Sequence, residues 1–204
     1  MDHVIRDLAA LEALYGSVNE VSKLKEISYL HPHYAAFIKA SPFAVLATAG
    51  LHGLDASPRG DPPGFIEIVD DKTLMIADRR GNNRIDSLRN IIADPHVALL
   101  FMIPGIGETL RVNGTAEISI DPELLARFTM GDKLPHTVLI VHIDSVFFQC
   151  SRALIRSELW NADKHVARST LPSTGQMLAA VTDQRIDGEA YDRELPPRLK
   201  ATLY

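Results

Sequence analysis

The sequence predicts a mainly β fold with peripheral helices, an α+β arrangement in which a small barrel is decorated by helical segments. Three observations predict it. Between residues 43 and 119 the chain breaks into short β-rich runs punctuated by Gly, Asp and Pro: "FAVLATAG", "GLDASPRG", "FIEIVDD", "TLMIADR", "HVALLFMIP" and "TLRVNGTAEIS". Helical periodicity lies mostly before and after these runs. Most connections between them are too short for the crossover a parallel sheet requires, and closing an antiparallel sheet removes its edges.

In chain order, "VIRDLAALEALY" at residues 4 to 15 places apolar side chains at helical spacing, and "HPHYAAFIKAS" predicts a second helix with Pro32 in its first turn. "VDDKT" joins "FIEI" to "TLMI" as a tight hairpin, since Asp-Asp tolerates turn geometry. "NRIDSLRNIIADP" carries Ile85, Leu88, Ile91 and Ile92 at helical spacing and stops before Pro95. "DPELLARFT" opens with Asp121 as N-cap and Pro122 at the first helical position. "HTVLIVHIDSVFFQC" reads as a long strand and "SRALIRSELW" as a helix beginning at Ser151. "TGQMLAAVT" is an apolar helix in a polar tail, and Pro-Pro pairs at 62 to 63 and 196 to 197 punctuate the chain. The expected division is a helical segment over 1–40 packing on the barrel, a barrel domain over 41–160, and a helical tail over 161–204 that wraps the barrel or a partner subunit.

Composition narrows the function. The 204 residues are 46% hydrophobic and 23% charged, and a chain of this size buries roughly 70% of its unfolded surface, enough for a core without staples. One cysteine, Cys150, excludes an internal disulfide framework and a cysteine-based zinc site, which points to a reducing, cytoplasmic compartment. No basic leader followed by an apolar run opens the chain, and no stretch of about 18 apolar residues occurs, so neither export nor membrane insertion is expected. A formal net charge of −5 argues against nucleic acid as a partner.

Against that acidic background "ADRRGNNRIDSLRN", residues 77 to 90, stands out. A strand ending in arginines and opening a helix is an anion seat, because the first helical turn offers unpaired N–H groups and arginine adds bidentate donors. A second cluster, "ASPRGDPPG" at 56 to 64, is one hairpin away. The competing reading pairs these arginines with Asp55, Asp61, Asp78 and Asp86 as a solvated face. Neither G-x-x-x-x-G-K-[ST] nor G-x-G-x-x-G is present, so any phosphate is held on a barrel scaffold.

Together "ASPRGDPPGF", "LMIADRRGNNRIDSLRNI", "PHVALLFMIPG" and "TLRVNGTAEI" resemble the pyridoxamine 5′-phosphate oxidase-like flavoproteins with an FMN-binding split β-barrel, in a branch where the "SPRGD" and "DRRGNNR" segments recur. The resemblance covers roughly residues 40 to 160. It implies a six-stranded split barrel, a homodimer, and FMN seated at the dimer interface. Carried over by position, it puts Arg59, Arg79, Arg80, Asn83 and Arg84 around the FMN phosphate and ribityl chain, with Ser57 and Asp78 bonding the flavin or orienting arginines. Thr109 and Arg111 then reach the flavin from the other subunit, and Trp160 edges onto its ring. The strand and the C-terminal Arg and His set that serve the vitamin-making oxidase have no clear counterpart here, which argues against pyridoxamine 5′-phosphate as substrate.

The remaining chemistry is sparse. His31, His33, His52, His96, His136, His142 and His165 form no H-E-x-x-H pair, so no metal is expected. His142 is expected as a satisfied barrel residue and Cys150 as a buried hydrophobe. No serine sits in a G-x-S-x-G elbow. The leading expectation is an FMN-dependent oxidoreductase acting on a small molecule; the alternatives are a non-catalytic flavin or haem carrier or sensor, and a structural dimer with a vacant site.

Overall fold

Strict alternation of apolar and polar side chains decides the strands. In the computed structural model, which describes residues 3–51 and 53–204, β1 (Phe43–Gly50) buries Ala44, Leu46 and Thr48 on one face. β5 (His96–Met102) likewise buries Val97, Leu99 and Phe101, and β6 (Thr109–Ser119) buries Leu110, Val112 and Ala116. Ile66 of β3 (Ile66–Ile68), Leu74 and Ile76 of β4 (Thr73–Asp78), and Leu139, Val141, Ile143 and Val146 of β7 (Thr137–Gln149) complete the same interior. Together with β2 (Gly53–Gly60) these strands form one sheet in the order β2-β1-β5-β6-β7-β4-β3.

All ladders are antiparallel. The sheet curls into a split β-barrel whose two ends, β2 and the β3–β4 hairpin, are brought face to face. It holds seven strands among the described residues, one more than the resemblance implies. The hairpin sits where "VDDKT" predicts it, with Asp70 Oδ1 accepting from Lys72 N at 2.8 Å.

Side-chain caps place the helix starts. Asp7 accepts from Ala10 N, so α1 spans Leu8–Tyr15 rather than beginning at Val4. The short α2 (Glu20–Leu24) is capped by Asn19. In α3 (Pro32–Ala40) His31 is the N-cap and Pro32 takes the first turn; Ile38 is fully buried in the core. α3 contacts β3, β6 and β7, Leu30 joins the core and Ile27 bridges to Val146, whereas α1 and α2 carry no buried residue.

α4 (Asp86–Ala93) follows β4 in sequence yet packs on β1 and β2, at the opposite end of the sheet. Its buried face is centred on Ser87 and Ile91, an i, i+4 pair, with Leu88 partly buried beside them. This corrects the periodicity reading: Ile85 is the N-cap and Ile92 is 80% exposed, so neither is a core residue.

α5 (Pro122–Arg127), capped by Asp121 as predicted, covers the outer face of β4 and β7 through a second cluster of Met75, Ala77, Phe128 and Val138. β4 is therefore buried on both faces. α6 (Arg152–Ser157) begins after Ser151. Two short 3-10 turns, Ala162–Lys164 and Arg168–Thr170, lead to α7 (Thr174–Val181), which starts on a Ser173/Gln176 capping box, and α8 (Gly188–Ala201). α7 and α8 pack chiefly on each other; the Pro196-Pro197 pair, read as punctuation, lies inside α8.

Two residues expected in the interior are outside it. Cys150 is exposed because β7 ends at Gln149 and the chain has left the ladder. His142 is exposed on the outer face of β7, 3.7 Å from Glu117 Oε1, because the inward set there is odd-numbered: Leu139, Val141, Ile143. His52 lies outside the described residues. No helix among those residues is long and apolar enough to cross a membrane.

β6 and β7 shift register between Asn113, opposite Ser145, and Gly114, opposite Ile143; Asp144 is the extra residue of a bulge. The backbones approach so closely there that a Cβ on Gly114 would stand 1.9 Å from the His142 carbonyl oxygen. Gly114→Ala is expected to lower stability by about 3 kcal/mol or more, read as a shifted urea midpoint.

Candidate functional site

Where the sheet ends meet, two ion pairs cross the split. Arg79, just past β4, donates from Nε to Asp61 Oδ2, just past β2, at 2.9 Å. Arg59 of β2 stands 3.7 Å from Asp78 Oδ1 at the end of β4. Arg79 also donates from Nη1 to the Phe128 carbonyl at 2.5 Å, tying the loop after β4 to the end of α5. All four side chains are at most about one-fifth exposed.

Above these pairs opens a cavity of about 780 Å³. It brings together seven of the residues singled out in the sequence: Ser57, Arg59, Asp78, Arg79, Arg80, Asn83 and Arg84. The other three lie elsewhere. Trp160 donates from Nε1 to the Ile106 carbonyl at 2.8 Å and lines a separate cavity of about 430 Å³ with Gly107, Glu108 and Ser151. Thr109 is buried and pairs with Gln149, and Arg111 stacks over Phe147, both at the far end of β7 from Thr137. At the rise of a β-strand, the 13 residues of β7 span roughly 40 Å along the chain, so within one chain these three and the main cavity are apart.

The floor of the cavity is the N-terminus of α4. Asp86, Ser87 and Leu88 line it, and no side chain caps the helix, so its first N–H groups are open to a ligand. Asn83 and Ile85 both have positive φ, 58° and 52°. For a β-branched residue that conformation is an outlier of the kind held at ligand clamps, at a cost of about 1–3 kcal/mol.

The charges divide into committed and available groups. Arg79 is a strut, and Arg84 pairs with Asp86 at 2.8 Å while remaining largely exposed. The salt-bridge reading of the sequence therefore holds for Asp61, Asp78 and Asp86. Asp55 instead accepts from the Ser57 hydroxyl at 2.8 Å and from the Ser87 hydroxyl, fastening β2 to α4. The Ser87 bond foremost, then Ser57 and nearby Arg59, hold the Asp55 carboxyl below its ordinary value against partial burial. Burial pushes Asp78 the other way, above its ordinary value, with Arg59 and His136 opposing.

Two buried side-chain atoms have no partner among the described residues, Arg59 Nε and Thr137 Oγ1, and both residues line this cavity. The sequence reading missed Thr137, His136 and Ser87. The long strand run "HTVLIVHIDSV" marked Thr137 and His136 as strand residues only, and Ser87 is hidden in a helical pattern whose apolar positions attract attention first.

Residues 30–150 match the family model described as pyridoxamine 5′-phosphate oxidase. No curated protein matches the chain in sequence. Among solved structures, it is similar to HupZ of Group A Streptococcus at 22% identity, covering 57% of this chain and 90% of that one with a TM-score of 0.46. It is also similar to General Stress Protein 26 from Bacillus anthracis, at 21% identity, 56% and 88% coverage and a TM-score of 0.42. A third is a Clostridium acetobutylicum protein related to general stress protein 26, at 13% identity, 58% and 86% coverage and a TM-score of 0.46.

The geometry separates the arginines by role. Arg79→Ala breaks a half-buried pair and is expected to cost about 3 kcal/mol, whereas Arg84→Ala breaks an exposed one and should cost under about 1 kcal/mol; urea unfolding of the two variants reads the difference. Ser87→Ala removes a buried hydrogen bond to a carboxylate and should cost about 1.5–3 kcal/mol at neutral pH. Because the folded-state value of Asp55 is depressed, the stability it contributes is present above its unfolded value near 3.8 and is lost as pH falls through the folded one. The Ser87→Ala variant should therefore show a shallower loss of stability in acid than the parent protein, measured by unfolding midpoints across that range.

Proposed function

Because the chain belongs to the pyridoxamine 5′-phosphate oxidase family, we propose that it is an FMN-binding flavoprotein, an FMN-dependent oxidoreductase acting on a small molecule, and a homodimer with the flavin at the subunit interface. The observation that carries this reading is the pair of buried unpartnered atoms, Arg59 Nε and Thr137 Oγ1, in a cavity floored by an uncapped helix N-terminus. Leaving such groups unpaired costs about 1–3 kcal/mol each, and phosphate oxygens are the acceptors that Arg59 Nε and the α4 N–H groups lack. The volume, about 780 Å³, suits a cofactor.

In this reading Arg59, Arg80, Arg84 and the first turn of α4 hold the phosphate. Asn83, Ser57 and Asp78 offer polar groups to the ribityl chain and ring. Arg79 acts mainly as the strut that keeps the loop in place. When bound, the flavin supplies hydride or single-electron transfer.

Thr109, Arg111 and Trp160 join the site only from a second copy, since β7 separates them from the cavity within one chain. The apolar side chains that α1 leaves in solvent, Leu8 at 74% and Leu14 at 68% exposure among them, support an assembly that covers them.

The test is the visible spectrum and mass of what copurifies, followed by FMN titration. Flavin bands are expected, and at a hundredfold excess over Kd FMN should add about 2.7 kcal/mol to stability. A colourless protein that stays so after incubation with FMN would overturn the proposal. Arg80→Ala combined with Arg84→Ala removes two charge-assisted contacts worth about 1.5 kcal/mol or more each, so Kd should rise about a hundredfold or more; unchanged affinity sinks the phosphate assignment. Turnover across a panel of donors and acceptors separates an oxidoreductase from a flavin carrier.

A further inference from the structure

After β7 the chain forms an arm that is tied to the barrel domain near its two ends. At one end Trp160 donates from Nε1 to the Ile106 carbonyl at 2.8 Å. At the other, Lys133 Nζ donates to the Tyr204 carbonyl oxygen at 2.7 Å, and the Arg79 guanidinium lies 5.8 Å from the centre of the Tyr204 ring. Between these ties, residues 162–172 are all exposed, α7 and α8 pack chiefly on each other, and α8 has no buried residue. The Tyr204 end docks beside the candidate site. An annex of about 490 Å³ adjoins the main cavity there: Arg79, Arg80, Asn83 and His136 line both spaces, and Lys133 and Tyr204 line the annex.

We propose that Tyr204 is a latch: docked on the Arg79–Asp61 pair it closes the annex side of the main cavity, and its release opens a path through which FMN exchanges. The inference rests on the reading of the main cavity as a flavin site. Tyr204 sits directly on the strut that holds the split. Asp61 accepts from Arg79 Nε at 2.9 Å and also from the Tyr204 hydroxyl. That second hydrogen bond foremost, then desolvation and the Asp61 charge, hold the phenol above its ordinary value, with Arg79 opposing. Carbonyl, ring and hydroxyl of one residue are thus each engaged, by Lys133, Arg79 and Asp61.

The two sides of the latch differ in rigidity. On the receiving side Arg79 is pinned by Asp61 and by the Phe128 carbonyl, and Lys133 is carried on a tight turn closed by paired hydrogen bonds with Met130 at 3.0 and 3.2 Å. On the arriving side no residue of α8 is buried, so the contacts of Tyr204 itself oppose release. Segments held by few buried apolar contacts open at low cost, which is what a gate requires. A gate slows entry and exit alike, whereas a side chain that touches the ligand acts mainly on exit.

Stopped-flow mixing with FMN reads entry, and dilution of the loaded protein into an excess of a competing apoflavoprotein reads exit. In Tyr204→Ala both rates should rise about tenfold while Kd stays within about twofold of the parent value. Tyr204→Phe keeps the ring on Arg79 but loses the bond to Asp61, so its rates should fall between the two. Unchanged rates, or a faster exit with unchanged entry, overturn the proposal. A second measurement needs no flavin: nitration by tetranitromethane, located by peptide mass. In the parent protein Tyr204 should react more slowly than Tyr15, which is 78% exposed, and Lys133→Ala should speed the reaction at Tyr204 but not at Tyr15. Equal reaction of the two tyrosines in the parent overturns the latch. If the parent binds no FMN, the flavin reading has failed by itself, and nitration decides whether the latch stands.

Discussion

Everything at the candidate site depends on the two ion pairs that cross the split in the barrel. A curled sheet that does not close by hydrogen bonds has two free edges, and unpaired strand edges are a liability. Here the ends are held by side chains: Arg79 to Asp61 and Arg59 to Asp78. Side-chain closure leaves a gap where a ladder would have left none, and that gap is the cavity. The same pairs set its electrostatics, because half-buried charges interact in a medium less polarisable than water.

α4 makes the arrangement work. It leaves the β4 end of the sheet and packs on β1 and β2, so it spans the split, with the Ser87–Asp55 bond as its fastening. Its start gathers several local irregularities. Ile85 holds a left-handed conformation, no side chain caps the first turn, and two nearby polar atoms are buried without partners. Local rules are broken together at this one place, a concentration that fits the ligand seat proposed for it. Asp7, Asn19, Asp121 and Ser173 cap α1, α2, α5 and α7 in the ordinary way.

The arginines of the DRRGNNR segment illustrate how one motif divides its labour. Arg79 is turned inward and spends its donors on Asp61 and Phe128; Arg80 is exposed and uncommitted; Arg84 is paired at the surface. Salt bridging accounts for Arg79 and Arg84, while Arg80 is the member left for the proposed anion. Rigidity in the first arginine is what gives the second a defined place.

The sequence alone determined the strand content, the hairpin, most helix starts and seven of the residues that line the main cavity, because those follow from local periodicity, capping and turn chemistry that act over a few residues. It also carried enough ordered motifs to indicate the family. Which arginine is a strut, why Ile92 and Cys150 face solvent, why His142 points outward, and how Thr137, His136 and Tyr204 come to line the two spaces were decided only by the tertiary structure. These depend on how a curled sheet brings its ends together, on the face each helix buries, and on the parity of an inward-facing set along a long strand. They are contacts between residues far apart in the chain, and no short-range pattern encodes them.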